Sequence, residues 1–550
     1  MYSNKSVSTH QFAMVPKSSV PRSTFNRQQA HKTTFDSGYL VPFYVDEVLP
    51  GDTFKLRTTA FARLSTPIFP VMDNMHLDTF YFFIPYRLVW QNWVRFMGEQ
   101  DSPADSISYV IPQVVSPNGG YVAQTLYDYM GLPTVGQVTA GLNFTTSCLP
   151  MRAYNLVYNE WFRDENLQNS VGMGATNNPN DIGDGPDPYT NYVLLRRGKR
   201  HDYFTSCLPW PQKGVAVSMP IGSQAPVIGL YASTAVTVAP GTIQSINGVA
   251  PGTNSVSANT PTFVAASKSA VGTAAATAFS TANANVYADL SQATAATINQ
   301  LRQSFAIQEL LERDARGGSR YTEIVRSHFG VLSPDARLQR PEYLGGDSVP
   351  VVINPIAQTS ATGLTGSSTP VGNLAAMGTV LARNHGFHSS FVEHGIVLGL
   401  ASIRADLTYQ QGLRKMWSRS TRYDFYFPEF AHLGEQAVLN KEIYLDGSAN
   451  DANVFGYQER WAEYRYLPSM ITGKFKSTTT GTLDAWHLAQ KFTALPTLNT
   501  TFIQETPPVQ RVVAAGALAA GQEFIADFFI DCVTTRPMPL YSVPASLSRF

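Results

Sequence analysis

Period-two alternation of apolar and polar side chains marks both ends of this chain, and it constrains the fold more than any other feature. Residues 53–63 set Phe54, Leu56 and Thr58 against Lys55, Arg57 and Thr59, the pattern of a strand with one buried face. Residues 523–533 alternate Phe524, Ala526, Phe528 and Ile530 with Ile525, Asp527, Phe529 and Asp531. Residues 77–84 are apolar on both faces and predict a central strand; 391–400 and 421–427 are further predicted strands. Helical spacing appears between these ends. Trp90, Trp93, Val94 and Met97 share one helical face after Pro85. A helix is predicted over 151–166, with Tyr154, Val157, Tyr158 and Trp161 as its stripe, and another over 291–316, stopped by Gly317 and Gly318. Strands near both termini with helices between them do not make a βαβ series. They predict one antiparallel sandwich whose interstrand loops have grown into subdomains.

Residues 214–288 stand apart. They run through Ala, Thr, Ser, Val, Gly, Asn and Pro with Lys268 as the single charged side chain. Disordered linkers carry charge that keeps them from collapsing; this segment instead has β-branched residues spaced by turn formers, as short strands do. It reads as an elaborated surface projection. The first 35 residues are different again, with Lys5, Lys17, Arg22, Arg27 and Lys32 and no carboxylate before Asp36. They read as a basic arm rather than a packed element.

The bulk numbers narrow the function. Charged residues are 15% and aromatics 12% of the 550, and 40 Lys and Arg balance 40 Asp and Glu. A neutral, aromatic-rich chain associates readily, and nucleic-acid binding has to come from local patches. Cys148, Cys207 and Cys532 are too few and too scattered for a disulfide framework. The start, MYSNKSVSTHQF, has no apolar core of a signal peptide. The longest apolar run, 395–403, is shorter than the ~18 residues of a membrane span. These features predict a protein made in a reducing cytoplasm, with no membrane insertion.

No phosphate-binding loop, dinucleotide fingerprint, H-E-x-x-H or G-x-S-x-G is present, and no cofactor is predicted. His385, His388 and His394 around Glu393 fit no structural zinc spacing. Asp181, Asp184 and Asp187 resemble a calcium loop only loosely, because the closing glutamate is missing. Two basic clusters remain as candidate nucleic-acid sites. Arg196, Arg197, Lys199 and Arg200 are dense in sequence; Arg414, Lys415, Arg419 and Arg422 alternate with Trp417 and Tyr423. Cations neutralise phosphates and aromatic faces stack on unpaired bases. The competing reading of each cluster is a salt-bridge network or a solvated face. The arm is the stronger candidate.

Residues 321–346 (YTEIVRSHFGVLSPDARLQRPEYLGG) carry a family resemblance. So do 76–90 (HLDTFYFFIPYRLVW), 154–163 (YNLVYNEWFR), 195–204 (LRRGKRHDYF) and 536–541 (RPMPLY). In this order along the chain they resemble the F-type major capsid protein of the Microviridae, and most closely the gokushovirus subgroup. The resemblance implies a mainly β fold, an eight-stranded antiparallel jelly roll of viral capsid type with large loop insertions containing helices and short strands. It implies homo-oligomers, pentamers closing a T=1 shell around circular single-stranded DNA, with minor phage proteins such as a DNA pilot protein as further partners. Virions would assemble in the cytoplasm of a bacterial host. The resulting division is an interior basic arm over 1–35, the first jelly-roll strands with helical insertions over 36–213, and a three-fold protrusion facing a host receptor over 214–290. A helix, the signature segment, the remaining strands and the tail fill 291–550. Jelly rolls also build lectins and cupins, so a binding module and a cupin-like metalloenzyme are the rival readings.

Overall fold

The computed structural model describes residues 21–105, 108–215, 217, 227–228, 287–288, 298–318, 321–330, 339–357, 359, 372, 374–514 and 523–541. Two sheets form its centre. The first contains β1 (Ser23–Phe35), β3 (Thr53–Leu64), β10 (Val352–Ala357), β11 (Leu374–Ser390) and β15 (Phe524–Arg536), in the order β1-β15-β3-β11-β10. The second contains β2 (Val41–Val48), β4 (Met75–Pro85), β9 (Glu342–Pro350) and β12 (Gly395–Ala405), in the order β2-β12-β4-β9. Every pairing is antiparallel. Consecutive strands of the sandwich alternate between the sheets, except that β4 is followed by β9 in its own sheet and β10 by β11 in the other. The ninth strand, β10, continues β9 after Val351, whose N–H donates to the Met75 carbonyl before the chain crosses to the other sheet.

The alternation in the sequence explains the sandwich interior. Phe54, Leu56, Ala60 and Ala62 of β3, Phe524, Ala526, Phe528 and Ile530 of β15, and Phe43, Leu77, Tyr81, Phe83 and Val397 of the second sheet are all buried together. β4 is apolar on both faces because both are covered. Its Phe82 and Ile84 join Ile396, Leu398 and Leu400 of β12 in a second core, under Trp90, Tyr154 and Val157 of the long insertion that follows β4. Two loops carry nearly all the added chain, one between β4 and β9 and one between β12 and β15. The second holds a hairpin of β13 (Glu435–Leu439) and β14 (Val454–Glu459). The first includes the pair β5 (Gln113–Val115) and β6 (Thr145–Ser147).

Several expectations change. The arm expected over 1–35 is a strand from Ser23 onward, laddered with β15 from Ser23 opposite Arg536 to Phe35 opposite Phe524; the jelly roll therefore starts before residue 36. The predicted strand at 421–427 holds a single turn, Arg422–Asp424, with another, Pro428–Phe430, just beyond it. Thr421 and Asp424 form a capping box that a strand would not allow. The 151–166 helix is Leu149–Val157 followed by a wider turn over Tyr158–Phe162. The helical face around Trp93 is one short helix, Trp93–Phe96, with Met97 exposed.

Residues 212–317 form a compact unit of their own. It contains β7 (Val227–Ile228) paired with β8 (Tyr287–Ala288) and the helix Ile298–Gly317, on which Arg313 pairs with Glu309 at 3.1 Å. The helix expected with 291–550 thus clusters with the insert. The rest of 214–288 lies outside the described residues.

Candidate assembly and nucleic-acid surfaces

The basic residues singled out in the sequence are mostly held by their own chain. Lys5 and Lys17 lie outside the described residues. Arg22 donates to the Gly51 carbonyl at 2.6 Å and to Thr53 Oγ1 at 3.1 Å. Arg27 reaches from β1 across the sandwich edge to Asp46 of β2 at 2.5 Å and to Thr534 Oγ1 at 2.8 Å. Lys32 pairs with Asp527 of the neighbouring strand at 2.6 Å.

The dense 196–200 cluster is a clamp between the sandwich and its insertions. Arg196 donates to the carbonyls of Ser37 and Glu505 and stacks 3.9 Å over the Tyr39 ring. Arg197 and Arg404 both pair with Asp78 on β4, at 2.6 and 2.9 Å. Lys199 is buried, donates to Gln490 Oε1 at 3.0 Å and sits 4.4 Å over Phe502. Burial pulls its ammonium down to about 8, against the pull of Glu505. Arg200 pairs with Asp406 at 3.2 Å on the surface. Asp78 and Asp406 are far away in sequence, so nothing local to the cluster announced its neutralisation.

Arg414, Lys415 and Arg419 of the 414–422 cluster line a groove of about 390 Å³. Lys415 donates to the Ala437 carbonyl and lies 3.6 Å from Glu442. Arg419 pairs with Glu463 at 3.2 Å and covers the Tyr464 ring at 4.3 Å. Arg422 stands 5.2 Å over Phe427, and Arg414 lines the groove. Trp417, Tyr466, Leu467 and Met470 of its lining are exposed, as are Tyr423 and Phe425 nearby in sequence. That is a broad apolar patch of the kind that marks a contact surface.

The carboxylates of the aspartate loop are each engaged by their own chain. Asp187 is gripped by buried Arg152, Asp184 accepts from Trp90 Nε1 at 2.7 Å and from Asn92 at 2.8 Å, and Asp181 accepts from Thr176. The histidines do not converge. His385 is buried against Thr79 at 2.8 Å and lies 3.4 Å from Asp347, His394 packs on Trp93, and His388 is exposed on β11. Among the described residues no three His, Cys, Asp or Glu side chains cluster as metal ligands, and no helix is long and apolar enough to cross a membrane.

The model of the family described as capsid protein (F protein) matches residues 13–546. The chain belongs to this phage capsid family. Among its relatives, the capsid protein VP1 of Bdellovibrio phage phiMH2K is 48% identical and that of Chlamydia phage 1 is 45% identical, each over 98% of both chains. Capsid protein VP1 of Spiroplasma virus 4 is 35% identical over 97% of both. The gokushovirus resemblance stands, and the chain is a structural capsid protein. For a capsid chain the informative surfaces are those its own residues leave bare. Sequence reasoning missed one of them. Lys55, Arg57 and Arg63 of β3 were visible only as the polar half of an alternating strand, and which neighbours flank them depends on sheet order.

Proposed function

We propose that this chain is the shell-forming subunit of a small single-stranded DNA bacteriophage. It assembles through pentamers into a T=1 icosahedral shell around a circular genome and has no catalytic turnover. The observation that carries the reading is the family match along almost the whole of a jelly-roll chain. Its physical support is surface that suits burial in an assembly. Trp417, Tyr423 and Leu467 are about 70% exposed, and obligate interfaces of this kind bury upward of ~2,000 Å². The uncharged insert, which falls within the unit 212–317, is proposed as the three-fold protrusion that meets a host receptor. A DNA pilot protein is the expected minor partner, and the host cytoplasm the site of assembly.

The cupin reading needs metal ligands converging inside an open barrel. Here Phe43 stacks on Phe528 at 4.6 Å and meets Tyr81 edge-on at 5.7 Å, so aromatic rings fill the interior. Expression of the full chain with sedimentation and negative-stain imaging tests the proposal. Pentamers or closed shells are expected. A stable monomer that never enters particles overturns it.

A further inference from the structure

The two outer faces of the sandwich are unlike. The outer face of the four-stranded sheet is sealed under the chain's own insertion. Among the described residues no insertion covers that of the five-stranded sheet. On it β3 presents Lys55, Arg57 and Arg63, all exposed, and β11 presents exposed Arg383 beside a bulge at Ala382/His385. None of these four cations makes an ion pair or hydrogen bond with the described residues. The two carboxylates on this face are already engaged. Asp527 holds Lys32 at 2.6 Å, and Asp531 accepts from Gln28 at 3.3 Å although Arg57 is its cross-strand partner.

Aromatic and aliphatic side chains stand among the cations. Phe61 is 47% exposed, its direct partner Leu381 is 47% exposed, and Phe529, opposite Thr59, is 45% exposed. A rigid sheet thus holds unpaired positive charges and two open phenyl faces on one platform, in a chain whose net charge is zero.

We infer that this face of the five-stranded sheet is the surface that holds single-stranded nucleic acid. The inference rests on the shell reading above and names the genome-facing side of the subunit. Phosphates are attracted by cations with no carboxylate to satisfy them. Unpaired bases stack on exposed rings without sequence preference. A duplex keeps its bases inside and leaves the phenyl faces unused. A second copy of this chain is the poorer occupant, because burying Lys55, Arg57, Arg63 and Arg383 against protein requires carboxylates that this face does not have to spare.

The test uses the full chain with Lys55→Gln, Arg57→Gln, Arg63→Gln and Arg383→Gln combined. These side chains are exposed and unbonded, so circular dichroism and the melting profile should match the parent. Binding of labelled oligothymidine to unassembled subunits is followed by anisotropy across a salt series. Each lost phosphate contact lowers the slope of log K against log salt by about 0.7, so the variant should lose up to about 3 in slope and bind at least tenfold more weakly at low salt. A Phe61→Trp reporter in the parent background should be quenched by oligothymidine and not by a duplex of equal length. Parent-like affinity and slope with an unquenched reporter overturn the inference while leaving the shell reading intact, provided the parent forms DNA-filled particles. A variant that binds oligothymidine like the parent but cannot assemble shows an interface between copies and also overturns it. A parent that makes no particles overturns the shell reading, and this inference with it.

Discussion

Arg152 holds Asp187 through two parallel bonds of 2.8 Å, with both side chains wholly buried. The remaining donors of the guanidinium reach the carbonyls of Val89 and Gly183, and Asp187 also accepts from the Tyr192 hydroxyl. One ion pair therefore ties the helix Leu149–Val157 to the loop that the sequence offered as a calcium site.

Removing one partner strands the other in a low-dielectric interior. Asp187→Ala is expected to lose about 3–5 kcal/mol, while the double change Arg152→Met with Asp187→Leu recovers most of that loss. Differential scanning fluorimetry of purified subunits checks both. Added calcium or chelator should leave the parent's melting temperature unchanged; a calcium-dependent rise would restore the cation reading of Asp181, Asp184 and Asp187.

Two cations of the expected arm should behave differently. Arg27 is half-buried and bridges the two sheets through Asp46, with a second bond to Thr534. Charge-assisted hydrogen bonds of this kind contribute about 1.5–3 kcal/mol, so Arg27→Gln should cost stability on that scale. Lys32 and Asp527 form an exposed cross-strand pair, and such pairs contribute at most about 1 kcal/mol. Lys32→Gln should leave the urea midpoint within error of the parent. Equal losses from both changes would mean that β1 is held by something other than the Arg27 bridge.

Stability should also depend on pH through Glu505. Glu505 is 1% exposed, and the Ala405 backbone N–H offers its carboxyl only weak support. Burial pushes the carboxyl up from 4.5 to about 7, opposed by Lys199, Arg197 and Arg404. The folded state then keeps a proton that the unfolded chain has released. This contribution is complete below pH 4.5 and is lost as the pH rises through 7. Its ceiling is about 3 kcal/mol, at 1.36 kcal/mol per unit. Lys199 acts with the opposite sign, because burial lowers it from 10.5 to about 8. Its contribution is complete above 10.5 and is lost as the pH falls through 8. Burial also raises the carboxyls of Glu342 and Glu523, so the parent should lose stability from pH 5 to 7.5 for several reasons. Glu505→Gln should flatten that fall by a few degrees in melting temperature, and a slope identical to the parent's would show that Glu505 ionises freely in the fold.

The sandwich could be read where one strand face is apolar and the other polar, as in β3 and β15, or where both are apolar, as in β4. β1 escaped because its STFNRQQAHKTTF is an edge strand whose partner lies some 500 residues away, and its pairing is made by backbone, not by an apolar face. β11 escaped because small residues and Gly386 line it; a Cβ there would strike the Leu56 carbonyl. The basic clusters were legible as charge, but their fate was not. Arg197 is neutralised by Asp78 and Arg200 by Asp406, contacts that exist only once β4 and β12 are neighbours.

Adjacent residues on β15 separate the two roles of its sheet. Phe528 is fully buried and stacks on Phe43 of the opposite sheet at 4.6 Å, so it joins the sheets across the core. Phe529, one residue on, points the other way and is 45% exposed on the outer face. Truncating a buried Phe removes its transfer free energy and leaves a cavity, so Phe528→Ala should cost about 3–5 kcal/mol. Most of that loss should appear as failure to accumulate soluble subunit. Phe529→Ala removes no core contact and should stay within about 0.5 kcal/mol of the parent. If the five-stranded sheet carries nucleic acid, Phe529→Ala should still weaken oligothymidine binding several-fold while leaving the melting temperature unchanged. Urea melts of both variants beside anisotropy titrations make the comparison. A Phe529→Ala chain that melts early, or one that binds oligothymidine as tightly as the parent, would show that this ring serves contacts between protein surfaces instead.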